Sequence, residues 1–219
     1  MILEKGDIFN IPTGIFRGFE NIGDSYGMLM AILGGDDAGG GVIWAPEVLL
    51  EAKKHGLILS EKGKIYDTLK GQKIPNNENK MEILKDNELK KFPEYSTSEV
   101  VPNYVARYLD LHSLSHDYPC AVIGEKGKIF DKPGFEVEFI SEKSFKKDDG
   151  FYNKDIVFMP VEGYWSIKSD ICDLILNPGD TFSLPKHNKY SLEPTKPGMA
   201  GIYKVIPTDD MAGSTHRKQ

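Results

Sequence analysis

The sequence predicts a mainly β fold in which one strand–turn–strand unit occurs twice, and three observations carry this prediction. The 22 glycines and 13 prolines make 35 residues, and many stand in turn-forming pairs, which favours short strands over long helices. Short segments alternate apolar and polar side chains, as half-buried strands do. A gapless self-match relates residues 3–40 to residues 176–213, at an offset of 173.

The repeat contains 9 identities in 38 aligned positions, where average residue usage would give about 2. We interpret this as a duplication. Each copy has a Gly-Asp turn, an alternating strand that a proline ends, a second turn and an apolar closing strand. The closing strands are predicted at Met28–Leu33 and Gly201–Ile206. The identical pairs are Leu3 with Leu176, Gly6 with Gly179, Asp7 with Asp180, Phe9 with Phe182, Pro12 with Pro185, Glu20 with Glu193, Asp36 with Asp209, Asp37 with Asp210 and Gly40 with Gly213.

Between the copies the pattern changes. Residues 46–56 predict a helix, because a proline stands in the first turn, cations gather at the end and a glycine follows. Residues 60–95 are predicted to form a polar linker with a short helix at 81–91, and residues 96–111 are predicted to form another short helix. Strand signals return at Phe135–Ile140, Ile156–Val161, Tyr164–Lys168 and Asp173–Leu176.

Composition excludes several classes of function. The net charge is −6 and no Lys/Arg cluster is interleaved with aromatics, so the electrostatic footprint of nucleic-acid binding is missing. The longest apolar stretch, Met28–Leu33, is too short to cross a bilayer, and the N-terminus does not read as a signal peptide. Cys120 and Cys172 show no metal-ligand spacing. We therefore expect a cytoplasmic protein without nucleic-acid or membrane partners.

Residues 6–21 resemble the second sequence motif of the cupin superfamily, G-x5-P-x-G-x2-H-x3-N. Gly6, Pro12, Gly14 and Asn21 match at the spacing of the motif, and Arg17 stands where the motif has its metal-binding histidine.

The second copy, residues 179–194, is a weaker match to the same motif. It keeps the first glycine and the proline, but His187 stands at the later glycine, Tyr190 at the histidine and Pro194 at the asparagine.

The whole chain resembles bacterial two-cupin proteins over residues 1–70 and roughly 130–219. The resemblance lies in Gly34–Asp37, in Trp44–Pro46 and in the tail Thr208–Thr215. It implies a cupin double-stranded β-helix, that is, a jelly-roll barrel, with a short helical and loop linker and a partial second barrel.

The predicted division is the C-terminal half of a first cupin barrel at 1–45, a helical and polar linker at 46–104 and a second cupin barrel at 105–219. Half a barrel cannot bury its inner face or satisfy its edges alone. Either the chain is truncated relative to its relatives, or the half-barrel is completed by the second barrel or by another subunit. Because an exposed edge invites pairing, we expect a homodimer.

The resemblance also implies where metal ligands would stand. The first cupin motif, G-x5-H-x-H-x3,4-E-x6-G, supplies three ligands. With Gly163 as its last glycine, the glutamate position falls on Ile156 and the histidine positions fall near Gly150 to Tyr152, and no histidine lies within 117–186. An Fe, Mn or Zn centre needs about three or four His or carboxylate ligands. We therefore expect no metal and no other cofactor.

Arg17, Tyr190 and His187 are the candidate ligand-binding residues. Arg17 and Tyr190 are equivalent in the repeat and should face a barrel interior, where they would clamp and hydrogen-bond a small anionic molecule. Alternatively, Arg17 lies at a rim or an interface and Tyr190 fills the lost metal cavity, because an unpaired buried charge is costly. His187 is either an acid–base group or a surface turn residue.

Two further patterns favour structural interpretations. The pairs Asp36-Asp37 and Asp209-Asp210 could bind a metal or act as acid and base, but they adjoin glycine-rich turns, where aspartate commonly bonds backbone amides. His112 and His116 are four residues apart, which would place them on one helix face, but Asp117 is the only neighbour of ligand type.

The sequence therefore predicts a metal-free protein, derived from two cupin barrels, that binds a small molecule or has a structural role. The alternative is a metal-dependent cupin enzyme, a dioxygenase or isomerase of a small aromatic or carboxylic acid, whose ligands come from unexpected positions or a partner chain. A third possibility is a truncated product without a function of its own.

Overall fold

Alternating segments of the sequence form antiparallel strands in the computed structural model, which describes residues 1–12, 14–33, 43–131, 133–148 and 150–208. The helices are α1 (Pro46–Lys54), α2 (Asp86–Leu89), α3 (Thr97–Tyr104) and α4 (Tyr108–Leu114). The strands are β1 (Ile8–Phe9), β2 (Leu57–Leu59), β3 (Ile65–Asp67), β4 (Val105–Ala106), β5 (Cys120–Ile123), β6 (Phe135–Ser141), β7 (Ile156–Glu162), β8 (Trp165–Ser169), β9 (Asp173–Leu176), β10 (Phe182–Leu184), β11 (Tyr190–Pro194) and β12 (Gly201–Pro207).

Besides the two-stranded β1–β4 pair, two larger antiparallel sheets lie in the first of two compact units, which comprises Met1–Thr13, Gly23–Gly35 and Tyr95–Gln219. The larger sheet has the strand order β10-β7-β12-β6-β5 and the smaller the order β11-β8-β9. The chain changes sheet at each of the connections β7–β8, β9–β10, β10–β11 and β11–β12. Exchange of strands between two packed antiparallel sheets is the jelly-roll architecture. The predicted mainly β fold class is confirmed.

Each face of the larger sheet has its own core, because successive side chains of a strand point to opposite faces. Ile202 of β12 packs between the sheets, together with Trp165 of β8. Tyr203, the next residue, packs on the outer face with Leu111 of α4. A site in the interior of the jelly roll therefore draws on the even-numbered residues of β12.

The N-terminal turn is held on the outer face of the larger sheet by a buried aspartate. Asp7 Oδ2 lies 2.6 Å from Nη1 of Arg107, and Asp7 Oδ1 accepts the N–H of Tyr108 at 2.9 Å. The Tyr203 hydroxyl donates to the Gly6 carbonyl oxygen at 2.6 Å, and β1 pairs with β4. The start of the first copy is thus covered by residues of the same chain.

The Gly-Asp turn has the same backbone structure in both copies. Gly6 and Gly179 have φ values of +85° and +92°. In each copy the aspartate N–H donates at 3.0 Å to the carbonyl oxygen of the residue three positions earlier. The Asp7 and Asp180 carboxylates accept the N–H of that same residue at 3.0 and 2.7 Å, respectively. The local geometry therefore follows the repeat that the sequence indicates.

The closing strand predicted at Met28–Leu33 is not formed, since these residues belong to no strand of the structure. The equivalent residues of the second copy form β12, which pairs with β6 on one side and β7 on the other. The prediction was wrong because a strand requires partner strands, which a local pattern of residues does not provide. Met30 and Ile32 still pack, partly buried, against the outer core.

The second compact unit, Gly14–Ile22 with Asp36–Glu94, contains α1, the β2–β3 hairpin and α2. α1 begins at Pro46 and ends just before Gly56, as predicted. The predicted polar linker thus includes a hairpin strand, β3, and a helix shorter than expected. No helix in the described part of the chain has the length and hydropathy that a membrane crossing requires.

Candidate functional site

Of the three predicted site residues, only Tyr190 has its side chain in the core between the sheets. Arg17 is exposed, and the expectation that it faces a barrel interior was wrong, because its segment forms no strand and an unpaired charge stays in water. His187 is an exposed turn residue with φ +68°, and its N–H donates to the Tyr152 carbonyl oxygen at 2.9 Å. Roles of these residues in ligand binding remain predictions.

A buried ion cluster occupies the interior next to Tyr190. Lys204, at the middle of β12, is 0% exposed. Its ammonium Nζ lies 2.5 Å from Asp148 Oδ1 and 2.8 Å from Glu138 Oε2. It also donates to the Tyr152 hydroxyl at 2.8 Å, while the Tyr190 hydroxyl donates to Asp148 Oδ2 at 2.5 Å. We call these five residues the Lys204 cluster.

The sheets and one loop set the geometry of the Lys204 cluster. Glu138 of β6 is the direct cross-strand partner of Lys204 in the β12–β6 ladder. Asp148 follows the 3-10 turn Phe145–Lys147, and its side chain is only 4% exposed. The loop is tied to β11 because the N–H of Tyr190 donates to the Gly150 carbonyl oxygen at 2.8 Å. Non-adjacent parts of the chain thus converge on one ammonium group.

Oxygen atoms surround the ammonium group of Lys204. It donates hydrogen bonds to Asp148 Oδ1 and to the Tyr152 hydroxyl, and its ion pair with Glu138 Oε2 is the third close contact. Burial alone would lower the pKa of Lys204, but the two carboxylates outweigh burial and hold the pKa above its ordinary value of 10.5. Burial raises the pKa of the Tyr152 hydroxyl despite the nearby ammonium. At neutral pH, Lys204 is therefore charged and Tyr152 is neutral.

The Lys204 cluster lies where the cupin resemblance would place metal ligands. Tyr190 stands at the histidine position of the second motif, and Tyr152 lies at the end of the segment that the first motif assigns to its histidines. Ile156, at the glutamate position, is buried in the apolar core. Among the described residues, no group of three or more His, Cys, Asp or Glu side chains could hold a metal ion. The two carboxylates of the Lys204 cluster are ion-paired with a buried ammonium, and its other two members are phenols, so the cluster does not fit a transition-metal centre, which needs about three or four free His, Cys or carboxylate donors.

A second polar pair lies beside α4. Nε2 of His112 and Oε2 of Glu142 are 2.7 Å apart, and Glu142 Oε2 also accepts the N–H of Ala200 at 3.1 Å. α4 ends at Leu114, so His116 does not share a helix face with His112. The pairs Asp36-Asp37 and Asp209-Asp210 lie outside the described residues.

Replacing Glu142 by glutamine should reduce stability at neutral pH by about 1–2 kcal/mol, because a charge-assisted contact becomes a neutral one. Burial raises the pKa of Glu142, but the Ala200 N–H and the His112 ring outweigh it and hold the pKa below its ordinary value of 4.5. A carboxylate with a depressed pKa stabilises the fold above that value and loses this effect as the pH falls. The difference between wild type and variant should therefore shrink below pH 4.5 in urea unfolding. The exposed Glu125→Gln is the control, and an equally large, pH-independent loss in E142Q would contradict the assignment.

The sequence pattern had not identified Lys204 or Asp148 as candidate residues. One signal was present, since Lys204 interrupts the apolar run Ile202–Ile206, and a lysine with apolar neighbours on both sides of a central strand is buried only when paired. No local pattern indicates Asp148, because it lies 56 residues from Lys204 in the sequence.

Comparisons with known proteins give only low similarities. The three solved structures described below are all of cupin domains. No protein-family model and no curated protein matches the chain. A cupin-2 domain protein of Shewanella frigidimarina is 16% identical with a TM-score of 0.34, over 47% of this chain and 94% of that one. A cupin 2 domain-containing protein of Halorhodospira halophila is 17% identical with a TM-score of 0.35, over 42% and 63%. The Cnp3 cupin domain of Schizosaccharomyces pombe is 12% identical with a TM-score of 0.31, over 42% and 60%.

The fold assignment rests on strand topology and not on these scores. Two antiparallel sheets share the core between them, and the chain passes repeatedly from one sheet to the other. Double-sheet jelly rolls of this kind include the cupins. The strands from β5 to β12 form a double-sheet jelly roll.

Proposed function

We propose that the protein is a metal-independent cupin-type jelly roll with a structural role, in which the Lys204 cluster has replaced the metal centre. The observation that carries the proposal is the buried ammonium of Lys204, which has two hydrogen bonds and two carboxylate ion-pair partners inside the jelly roll. A fixed positive charge there opposes a metal cation, and it removes the need for one by holding the surrounding carboxylate oxygens together.

The same cluster disfavours a small anionic ligand in the interior. Two carboxylates face one ammonium, so the cluster does not present excess positive charge. The Tyr190 hydroxyl is already bonded to Asp148, and the Lys204 ammonium is bonded to Asp148 and Tyr152 and ion-paired with Glu138. Arg17, the predicted carboxylate clamp, is exposed in the second unit. Of the two predicted alternatives, small-molecule binding and a structural role, these contacts therefore favour the structural role.

We also infer descent from a two-cupin ancestor, in which residues 1–45 derive from a first barrel, 46–104 from a linker and 105–219 from a second barrel. The matching Gly-Asp turns support this inference. This three-part division refers to the evolutionary origin of the segments, whereas the two compact units refer to how the folded chain packs. A cytoplasmic location remains a prediction.

Metal analysis tests the central proposal. Purified protein is incubated with excess Fe²⁺, Mn²⁺, Ni²⁺ or Zn²⁺ and desalted, and its metal content is measured by inductively coupled plasma mass spectrometry. The midpoint of its thermal unfolding is measured with and without each ion. We expect far less than one ion per chain and an unchanged midpoint, because ligands that bind the native state raise it. One tightly held ion per chain would contradict the proposal.

A parallel experiment separates the structural role from anion binding. The thermal midpoint is measured with a panel of small aromatic and aliphatic carboxylates for the wild type, Arg17→Ala and Tyr190→Phe. The structural role predicts no shift in any of them. A shift in the wild type that is lost in either variant would favour the predicted ligand site instead.

A further inference from the structure

Residues Met28–Leu33 have the sequence of a central strand but no strand partner in the described part of the chain. Their equivalents in the second copy form most of β12, which is hydrogen-bonded to β6 and to β7 along its length. In the first copy, no backbone N–H or C=O of residues 28–33 forms a hydrogen bond with another described residue. An apolar segment of this kind normally pairs its backbone groups with another strand.

From Leu29 to Leu33 the exposure of the segment alternates as it does in a strand, whereas Met28 is 59% exposed. Met30 and Ile32 are partly buried against the outer core, whereas Leu29 and Leu33 are 62% and 82% exposed. This period of two places one set of side chains on the protein and leaves the other set in solvent. The segment therefore presents both an unpaired backbone and exposed leucines.

In the described part of the chain, the strands equivalent to its missing partners are already paired on both sides. β6 already lies between β12 and β5, and β7 lies between β12 and β10. Residues 27–33 contain no charged side chain, so a second copy of the segment would bring no like charges face to face. In a two-fold dimer the same surface patch of each subunit forms the contact, so this segment can pair with its own copy.

We propose that Met28–Leu33 pairs antiparallel with the same segment of a second copy, forming a two-stranded ribbon at the centre of a homodimer. The alternation requires that exposed residues lie opposite exposed residues, and centring the ribbon on Ala31 places Leu29 opposite Leu33 of the partner subunit. The small alanine lies on the two-fold axis, and the exposed leucines cover each other across it. The proposal does not depend on whether the interior binds a metal.

Light scattering after size-exclusion chromatography tests the dimer. We expect a mass twice the 24.5 kDa of the chain. Leu29→Lys places a charge in the apolar ribbon and should weaken the dimer at least ~10-fold, with an unchanged circular-dichroism spectrum. Leu109→Lys is the matched control, because Leu109 is 65% exposed on α4, and it should leave the dimer intact. A monomeric wild type, or a dimer that tolerates L29K and L109K equally, would overturn the proposal.

Disulfide trapping tests the register in a Cys120→Ser/Cys172→Ser background. Ala31→Cys should give a cross-linked dimer under mild oxidation, since directly opposed residues have Cα atoms about 4.5–5.5 Å apart. Leu29→Cys should not, because four residues along an antiparallel ribbon separate the two sulfurs by about 13 Å. Efficient trapping at position 29, or none at position 31, would show that another surface or another partner covers the segment.

Discussion

Replacing Lys204 by methionine is expected to destabilise the fold by about 3–5 kcal/mol, because it leaves buried carboxylate charge without its partner. The Asp148 side chain is 4% exposed and is bonded to both Lys204 and Tyr190. Urea unfolding followed by tryptophan fluorescence and circular dichroism measures the loss. Lys168→Met, an exposed change on β8, is the control and should stay within about 0.5 kcal/mol of wild type.

A second change should rescue the Lys204→Met variant. Asp148→Asn in the same chain removes the more deeply buried of the two uncompensated carboxylate charges but keeps an oxygen for the Tyr190 hydroxyl, so the double variant should recover at least about 1 kcal/mol relative to K204M. Strictly additive losses would mean that the two groups are not coupled.

The stabilisation by Lys204 has a defined pH range. Because its folded-state pKa is raised above 10.5, the stabilisation is complete below pH 10.5 and is lost as the pH rises through the folded-state pKa. The difference between wild type and K204M should therefore be constant around neutral pH and decline only in strong alkali. A difference that declines already between pH 7 and pH 9 would indicate that another group is responsible.

Replacing Trp165 by alanine should cost about 3–5 kcal/mol by opening a cavity between the two sheets. Trp165 is fully buried in the interior core, and its indole N–H donates to the Glu162 carbonyl oxygen at 3.1 Å. The structural role implies an interior that is already filled, so removing the largest buried side chain should create space that the wild type does not have. The loss is measured by thermal and urea unfolding.

Added indole should partly restore the Trp165→Ala variant, since apolar cavities of this size bind small aromatic molecules. At 100-fold its dissociation constant, a ligand contributes about 2.7 kcal/mol of apparent stability. Tyr164→Ala, at the exposed preceding position, is the control and should respond to indole no more than the wild type does. Equal stabilisation of the wild type by indole would reveal a pre-existing interior pocket and would weaken the structural proposal.

Local patterns predicted those parts of the fold that short-range chemistry determines. The four strands before the second copy and the start of α1 follow from alternation and from a helix-starting proline. Met28–Leu33 shows the limit, because it has the composition of β12 without the neighbours that make β12 a strand. Secondary structure in a sheet is a non-local property, and pairing partners cannot be read from one segment.

The candidate site was harder to predict for a related reason. Tyr190 was placed correctly in the interior because the repeat and the motif assign it to a fixed position. Arg17 has the equivalent position in the sequence, but its copy lacks the strands that would enclose it. The pairing of Lys204 with Asp148 joins residues that no local pattern connects.

The turn at His187 has a consequence for tracing descent. His187 is the only described residue other than glycine with a positive φ, +68°, and its equivalent in the first copy, Gly14, has φ +84°. The two copies thus share a backbone conformation that suits glycine, and His187 adopts it at a cost of about 1–2 kcal/mol. The torsion angles at this position agree where the side chains differ. The turn is therefore recognised by its φ angle even where the motif glycine is replaced.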